Sequence, residues 1–282
     1  MRPQLSLGVI LVGICLVAQA AAGTLEEARE HGFIRLGIAN EAPFAYVMSD
    51  GSLAGESAEI AKMIFPRLGI PKVVASIVNW KDLIPGLLAG DFDVIAAGMF
   101  ITPERCQKVL FTEPTYGVGQ AFLVKEGNPQ GIIDYATVRE VPKVTLGLIT
   151  GAAEQGYARE AGVPAMRIKT FQTPVAAVRA VQDGRIDALG LTTLAISYLV
   201  QQAGPEAGVE ATPVFAAVEG QSVTGHGAYA LRPEDQDLRD AMNLELARFI
   251  GSSDHMALVI PYGFGEKTLP RQTAGQLCAS AP

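Results

Sequence analysis

The sequence predicts an α/β fold made of two lobes. Strand-type and helix-type patterns alternate along the chain, which is typical of a parallel sheet covered by helices rather than of a sandwich of sheets. The chain crosses between two such sets twice, near residues 125 and 228, and two crossings imply a hinge beside a cleft, where small ligands usually bind. We therefore predict lobe 1 over residues 23–125 and 228–282 and lobe 2 over residues 126–227.

Local signals identify the first elements of lobe 1. Thr24 and Glu27 match a capping box, which predicts a helix start, and Gly32 is suited to end that short helix. The run 33–40 predicts the first strand. Residues 56–68 follow as a helix because their apolar side chains recur at helical spacing on one face.

The remainder of the first set keeps the same alternation. Strands are predicted at 72–78 and 93–100, with a short helix at 81–88 between them. Pro103 suits the first position of the next helix, where its missing N–H is not needed. Residues 120–125 then predict a strand that leaves this lobe.

The second set alternates strand and helix three times. Its predicted elements are, in order, 143–148, 152–161, 166–171, 174–183, 186–191 and 194–202. A strand at 227–231 and an amphipathic helix at 236–250 follow this set. They bring the chain back to the first lobe.

The N-terminus predicts export. Arg2, an apolar run at 7–17 and small residues around Ala20 match a secretory signal peptide. The run is shorter than the roughly 20 residues that a membrane span needs. We therefore expect residues 1–22 to be removed, with cleavage near 20–23, and the mature protein to lie in the periplasm without a lipid anchor.

Charge and cysteine content narrow the class of protein. Removal of residues 1–22 takes away one cation and no acid, so the formal net charge moves from −7 to −8 and disfavours nucleic acid as a partner. Cys106 and Cys278 remain, and in an oxidising compartment a disulfide is favoured over two separate thiols. A link across 172 residues would contribute roughly 4 to 5 kcal/mol on the chain-entropy model.

Five blocks, in this order and at these spacings, carry a resemblance to a known family. They are Ile38-Ala39-Asn40-Glu41-Ala42-Pro43-Phe44, Leu83-Ile84-Pro85-Gly86-Leu87, residues 93–98 with Thr102-Pro103-Glu104-Arg105, residues 183–188, and Pro261-Tyr262-Gly263-Phe264. The sequence resembles the amino-acid type (family 3) of periplasmic solute-binding proteins over essentially the whole mature chain. This resemblance implies the type II two-lobed periplasmic binding protein fold and the permease of an ABC importer as partner. We also expect a monomer.

Within that family, the sequence is similar to the subgroup that binds ectoine or hydroxyectoine. The similarity lies in residues 40–44, in Phe100 five positions before Arg105, and in Cys106 with the late Cys278. It implies a ligand that is caged by aromatic rings and held by its carboxylate on an arginine. Ectoine is a cyclic zwitterion with one carboxylate and a delocalised amidinium, so its receptor needs an anion clamp and a cation cage.

The first lobe supplies both kinds of group. Phe44, Trp80 and Phe100 match the aromatic positions of the subgroup, and aromatic faces attract a diffuse cation. Arg105 is suited to a two-bond contact with a carboxylate, and Glu41 to accepting hydrogen bonds from the amidinium. Without the resemblance, core packing for the phenylalanines and solvated positions for the charged residues would be the favoured interpretations.

The second lobe departs from the family pattern in two places. Gly151, Ala152 and Ala153 open a helix whose N–H groups are expected to help hold the carboxylate, but the family commonly has a hydroxyl residue where Ala153 stands. Thr192 occupies the position where amino-acid binders have the aspartate that pairs with the ligand's α-ammonium. A primary ammonium would lack its counter-ion there, which favours ectoine.

Two other functions compete with this hypothesis. A receptor for a polar or cationic amino acid fits the same family, and exported dehydratases share the architecture. Catalysis would need a tuned acid or base, for which Glu41 is the candidate. His31, His226 and His255 show no metal-ligand spacing, and no nucleophile or phosphate-loop motif is present. We therefore expect no catalytic residue, metal or cofactor.

Overall fold

The structure is a computed structural model that describes residues 23–213 and 223–279. The predicted signal peptide at residues 1–22 lies outside the described residues. In the described part of the chain, no helix is long and apolar enough to cross a bilayer.

Strands and helices alternate along the described chain as the sequence predicts. The strands are β1 (Phe33–Ile38), β2 (Tyr46–Val47), β3 (Leu53–Ala54), β4 (Lys72–Ile77), β5 (Val94–Phe100), β6 (Leu110–Phe111), β7 (Tyr116–Val118), β8 (Gln120–Lys125), β9 (Leu146–Ile149), β10 (Ile168–Phe171), β11 (Ala188–Thr192), β12 (Val209–Ala211) and β13 (Gly225–Leu231). The helices are α1 (Thr24–His31), α2 (Glu56–Arg67), α3 (Leu83–Ala89), α4 (Pro103–Cys106), α5 (Tyr135–Glu140), α6 (Glu154–Glu160), α7 (Pro174–Gln182), α8 (Thr193–Ala203), α9 (Gln236–Phe249), α10 (Ser253–Val259) and α11 (Ala274–Ala279). Short 3-10 turns occur at Trp80–Asp82, Ala165–Arg167, Pro205–Ala207, Ile260–Tyr262 and Glu266–Thr268.

The first lobe is built on a six-stranded sheet. Its strand order is β4-β1-β5-β13-β6, with β7 also paired to β13. Strands β4, β1 and β5 run parallel, whereas β13 is antiparallel to β5 and shifts register between Ala228 and Ala230. Every residue of β5 is buried, as expected for a central strand with helices on both faces.

The second lobe is built on a five-stranded sheet. Its strand order is β10-β9-β11-β8-β12. Strands β10, β9 and β11 run parallel, and β8 is antiparallel to β11 and β12. The two-lobed α/β prediction is therefore confirmed.

The crossings between the sheets lie earlier than the predicted lobe limits. Strand β8, which the prediction places in lobe 1, pairs in the second sheet, so the first crossing falls at Gly119, between β7 and β8. Strand β13 pairs in the first sheet from Gly225 onwards, whereas the prediction places residues up to 227 in lobe 2. Local pattern identifies a strand, but hydrogen bonds to distant segments decide which sheet it joins.

Two starts of helices differ from their predictions. Gly23, not Thr24, is the N-cap of α1, and the Thr24 hydroxyl instead donates to Asp235 Oδ1 at 2.6 Å. A long-range partner has therefore replaced the expected capping box. The helix predicted at 81–88 begins only at Leu83, because Trp80–Asp82 forms a 3-10 turn.

Helices cover both faces of each sheet. In the first lobe, α2, α9 and α10 pack on one face, and α3 packs on the other with Leu277 of α11. In the second lobe, α5 and α6 cover one face, and α7 and α8 cover the face that continues the larger core. The cleft lies between the lobes, at ends of strands and starts of helices rather than in a core.

A disulfide joins Cys106 and Cys278, as the cysteine count predicts. Its Cα atoms lie 5.7 Å apart and its S–S distance is 2.03 Å. The bond ties α11 to α4, a helix of four residues that carries Arg105.

Candidate functional site

A cavity between the lobes collects most of the predicted site residues. It encloses about 20 Å³, which is room for about one water molecule. Its lining residues are Glu41, Phe44, Trp80, Gly98, Phe100 and Arg105 from the first lobe, and Ala152, Ala153, Glu154, Leu191 and Thr192 from the second. Eight of the nine predicted ligand-binding residues are among them, and their contact with a ligand stays a prediction.

Arg105 lies in the cavity wall because α4 begins just before it. The Thr102 side chain caps this helix by accepting from the Arg105 backbone N–H, and Pro103 occupies the first turn. The side chain is 8% exposed, and its guanidinium donates to Phe100 O at 2.8 Å and to Gly151 O at 3.1 Å. The cation is thus directed towards the second lobe.

Aromatic side chains form one wall of the cavity. The ring of Phe44 stacks on Tyr116 with centroids 5.2 Å apart, and Phe100 lies tilted against the same ring at 6.3 Å. Tyr116 donates its hydroxyl hydrogen to Gly98 O at 2.7 Å. Gly98 has a φ of +64°, and a Cβ there would come within 2.6 Å of Phe44, so a glycine is needed for this close approach.

Trp80 and Gly151 meet across the cleft. The indole Nε1–H of Trp80 donates to Gly151 O at 3.2 Å, and the guanidinium carbon of Arg105 lies 6.0 Å from the indole centroid. Gly151 O therefore accepts from two first-lobe side chains. Gly151 is the one predicted residue that does not line the cavity itself; its carbonyl joins the lobes at the edge.

Glu41 is held by a tight loop that follows β1. Its backbone N–H donates to Ala45 O, and its carbonyl accepts from the N–H groups of Phe44 and Ala45 at 3.0 and 3.1 Å. The Ala42–Pro43 peptide bond within this loop is cis. The loop brings Glu41 and Phe44 into the same cavity and leaves Glu41 only 8% exposed.

Glu154 is a buried acid that sequence reasoning missed. It is the first residue of α6, is 3% exposed, and lines the cavity together with Glu41 and Arg105. With its amide nitrogen turned towards these acceptors, Gln120 donates to Leu191 O at 3.0 Å and to Glu154 Oε1 at 2.9 Å. An isolated glutamate early in a helix gives no sequence signal for this position; the predicted role of the adjacent 151–153 segment was the available hint.

Burial raises the pKa values of the two acids that line the cavity and lowers the pKa of the arginine. Burial first, and then the charge of Glu154, raise the pKa of Glu41 to about 8. Burial raises the pKa of Glu154 to about 7, against its own backbone N–H, the charge of Arg105 and a hydrogen bond from Gln120. Burial lowers the pKa of Arg105 from its usual value, and the charge of Glu154 opposes this change.

The predicted second-lobe donors are partly engaged within the protein. The Gly151 N–H donates to Gln155 Oε1 at 2.6 Å, and the Ala152 N–H donates to Ile149 O at 3.1 Å. The helix begins at Glu154 with Ala153 as its N-cap, two residues after the predicted start. Thr192 lines the cavity, but its hydroxyl accepts from the Ala195 N–H and so caps α8.

Comparisons with known proteins agree with this architecture. A family model described as bacterial extracellular solute-binding proteins, family 3, matches residues 34–263. A probable amino-acid ABC transporter periplasmic-binding protein of Sinorhizobium fredii is 33% identical over 93% of this chain and 88% of its own length. The crystal structure of EhuB in complex with hydroxyectoine has a TM-score of 0.84 and 40% identity, covering 92% of this chain and 98% of that one.

A third similar structure is that of an amino acid-binding protein whose description also names an enzyme. An ancestral amino acid-binding protein, described as a precursor of cyclohexadienyl dehydratase, has a TM-score of 0.74 and 28% identity. The match covers 85% of this chain and 99% of that one.

Proposed function

The chain belongs to the bacterial extracellular solute-binding proteins, family 3, and we propose that its ligand is ectoine or hydroxyectoine. The observation that carries the proposal is one cavity that combines Arg105 with the rings of Phe44, Trp80 and Phe100. The likeness to the hydroxyectoine complex, at 40% identity, supports the same ligand class.

The carboxylate of the ligand binds Arg105. A guanidinium has five N–H donors in a planar fork, and here it donates to Phe100 O and Gly151 O. The bond to Phe100 O keeps the group oriented within its own lobe. The remaining donors pair with the ligand carboxylate, for which a charge-assisted contact of this kind is among the strongest that a protein offers.

The amidinium of the ligand lies against the aromatic wall. Trp80 is partly exposed and lies beside the cavity, while Phe44 and Phe100 close the side formed by the first lobe. A delocalised cation is attracted by ring faces without a specific hydrogen bond. Glu41 adds a carboxyl group in the same cavity and accepts from the amidinium N–H groups.

Transport follows from ligand-dependent closure of the two lobes. The mature protein lies in the periplasm, closes on its ligand and delivers it to the membrane permease of an ABC importer. We propose that it acts as a monomer. Membership of a solute-binding family and the transporter relative support a protein that binds its ligand without turning it over.

A receptor for a cationic amino acid is the second candidate. One observation favours it: the cavity holds two carboxyl groups, Glu41 and Glu154, against the single guanidinium of Arg105. A ligand with an extra positive charge would balance them. The position of Thr192, where the family has an aspartate for the α-ammonium, argues against it.

Calorimetry on the mature protein separates the candidates. The titrants are ectoine, hydroxyectoine, proline, glycine betaine and the common amino acids, including arginine. We expect heat and saturation with ectoine or hydroxyectoine and binding at least about tenfold weaker with the amino acids, a difference of about 1.4 kcal/mol. Saturable binding of an amino acid with none of ectoine would overturn the proposal, and turnover of a prephenate-type acid would move the protein to the enzymes.

A further inference from the structure

The charges that line the cavity do not balance. Glu41, Glu154 and Arg105 line the same cavity and are 8%, 3% and 8% exposed. With both acids ionised, the lining carries two negative charges against one positive charge. A zwitterion adds no net charge, so a cavity closed around it would retain one uncompensated negative charge, which is costly in a buried site.

Other titratable groups near the cavity do not supply the missing positive charge. Tyr116 and Tyr157 interact with both Arg105 and Glu154, and Tyr135 of α5 interacts with Glu154. Burial raises the pKa of all three hydroxyls, so they stay neutral. Glu56 is a further acid near Tyr116, and it accepts a hydrogen bond from the Ser57 hydroxyl at 2.7 Å.

The charge of Lys108, near Arg105 in the chain, is already paired. Glu104, on the same helix as Arg105, forms an ion pair with Lys108 at 3.0 Å. Among the residues that line the cavity, Arg105 is the sole cation.

We infer that Glu154 and Glu41 together determine the net charge of the ligand-bound cavity. When a zwitterion binds, one of the two carboxylates takes up a proton, whereas a ligand of net charge +1 binds without proton uptake. For ectoine, the inference rests on the proposed function. The proton comes from solvent and converts one carboxylate to a carboxylic acid, whose carbonyl oxygen still accepts hydrogen bonds from the ligand N–H groups. Glu154 is thereby a specificity-determining residue that acts through charge.

Geometry indicates which acid takes the proton. Burial raises the pKa of Glu154, but its position facing Arg105 and its hydrogen bond from Gln120 both oppose that rise and stabilise the ionised form. Glu41 experiences burial and the negative charge of Glu154, and both favour its neutral form. The proton therefore resides on Glu41. An open cleft would expose both groups to water, which would lower their pKa values towards the ordinary carboxyl value of about 4.3.

The sign of the pH dependence follows from this difference. Burial and the charge of Glu154 raise the pKa of Glu41 to about 8 in this cavity, above the ordinary carboxyl value that an open, hydrated cleft would restore. Binding of a zwitterion therefore takes up a proton in the window between the ordinary carboxyl pKa and about 8. The contribution to affinity is complete below that window, falls as pH rises through it, and is lost above it.

Titration calorimetry in buffers of different ionisation enthalpy measures the uptake directly. At pH 6.5 we expect ectoine to bind with uptake of about one proton, and its affinity to fall by up to about tenfold per pH unit between pH 6 and 7.5. Arginine, with net charge +1, is the matched probe, and any binding of it should proceed with an uptake near zero. Binding of a zwitterion without proton uptake would overturn the inference.

Substitution tests the role of Glu154. Glu154→Gln keeps the size of the side chain and removes its charge, so we expect ectoine binding without uptake and nearly flat with pH. The preference for ectoine over arginine should rise by about tenfold or more. Glu160→Gln, on the exposed end of the same helix, is the control and should keep the wild-type uptake. Unchanged uptake in Glu154→Gln would contradict the assignment.

The panel distinguishes failure of the ligand from failure of the inference. If ectoine gives no binding but a zwitterionic amino acid binds with proton uptake, the proposed ligand is wrong and the inference about proton uptake holds. If ectoine binds with no uptake, the ligand is right and the inference about proton uptake is wrong.

Discussion

Trp80 contributes to the cavity through two separate features, its ring face and its indole N–H. The N–H donates to Gly151 O, while the ring lies against the cavity and beside the Arg105 guanidinium. Phenylalanine and leucine both remove the N–H, but only phenylalanine keeps an aromatic face. A comparison of these two substitutions therefore isolates the contribution of the face.

We predict that Trp80→Phe and Trp80→Tyr retain most of the affinity for ectoine, whereas Trp80→Leu loses clearly more. A contact between a cation and a ring face is worth about 0.5 to 2 kcal/mol, and calorimetry on the three variants measures the difference. Trp80 is the single tryptophan, so ligand should also change the intrinsic fluorescence of the wild type. Equal affinities of the Leu and Phe variants would refute the aromatic cage.

Arg105 is the residue on which the anion contact depends. We predict that Arg105→Ala weakens binding by at least about 2 kcal/mol, because a ligand carboxylate would be buried without its partner. Arg105→Lys keeps the charge but not the planar fork, so its affinity should lie between those of the wild type and the alanine variant. Calorimetry measures both losses, and near-native affinity of the alanine variant would remove Arg105 from the site.

At the scale of elements, α4 depends on contacts from outside itself. A helix of four residues is not stable alone, and this one is held by the Thr102 cap and by the disulfide from Cys106 to α11. Because Arg105 precedes Cys106 directly, the same bond restrains the element that presents the cation. Stability and binding are thus coupled at this position.

We predict that the double variant Cys106→Ala, Cys278→Ala loses roughly 4 to 5 kcal/mol of unfolding free energy, since the closed loop spans 172 residues. Chemical denaturation of the oxidised wild type and of the variant measures this difference. The wild type under reducing conditions should match the variant and serves as the control. If reduction leaves the denaturation midpoint unchanged, the bond does not stabilise the fold.

At the scale of the whole molecule, Gly151 is a contact point between the lobes. Its φ of +85° directs the carbonyl towards Trp80 and Arg105, and a Cβ at this position would lie 3.0 Å from Lys81 Cα in the first lobe. The ring of Tyr46 also meets that of Tyr198 across the cleft, with centroids 5.9 Å apart. Closure therefore depends on space for a backbone to approach closely.

We predict that Gly151→Ala impairs closure and weakens ligand binding by at least about tenfold, or about 1.4 kcal/mol. Small-angle scattering with and without ligand should show a smaller decrease in the radius of gyration than in the wild type. Gly51→Ala is the matched control, because Gly51 has a similar φ of +83° but nothing within 4 Å of an added Cβ. Wild-type affinity in Gly151→Ala, or an equal loss in both variants, would contradict a role for this contact between the lobes.

Sequence alone determined the two-lobed α/β architecture, because it follows from local alternation of strand and helix patterns. It also determined the cysteine pair and most of the residues around the cavity, including Arg105 and the aromatic rings. These residues stand in short motifs, and a short motif can be recognised from the sequence because its residues are close together along the chain.

Tertiary structure alone decided which sheet each boundary strand joins and which charges share the cavity. Strand β8 has the same local pattern in either lobe, and only its pairing with β11 assigns it to the second. Glu154 looks like an ordinary surface acid of a helix, yet folding buries it beside Glu41 and Arg105, more than 100 and nearly 50 residues away in sequence. Burial and charge proximity are properties of the folded chain, since they arise from contacts between segments that no local pattern encodes.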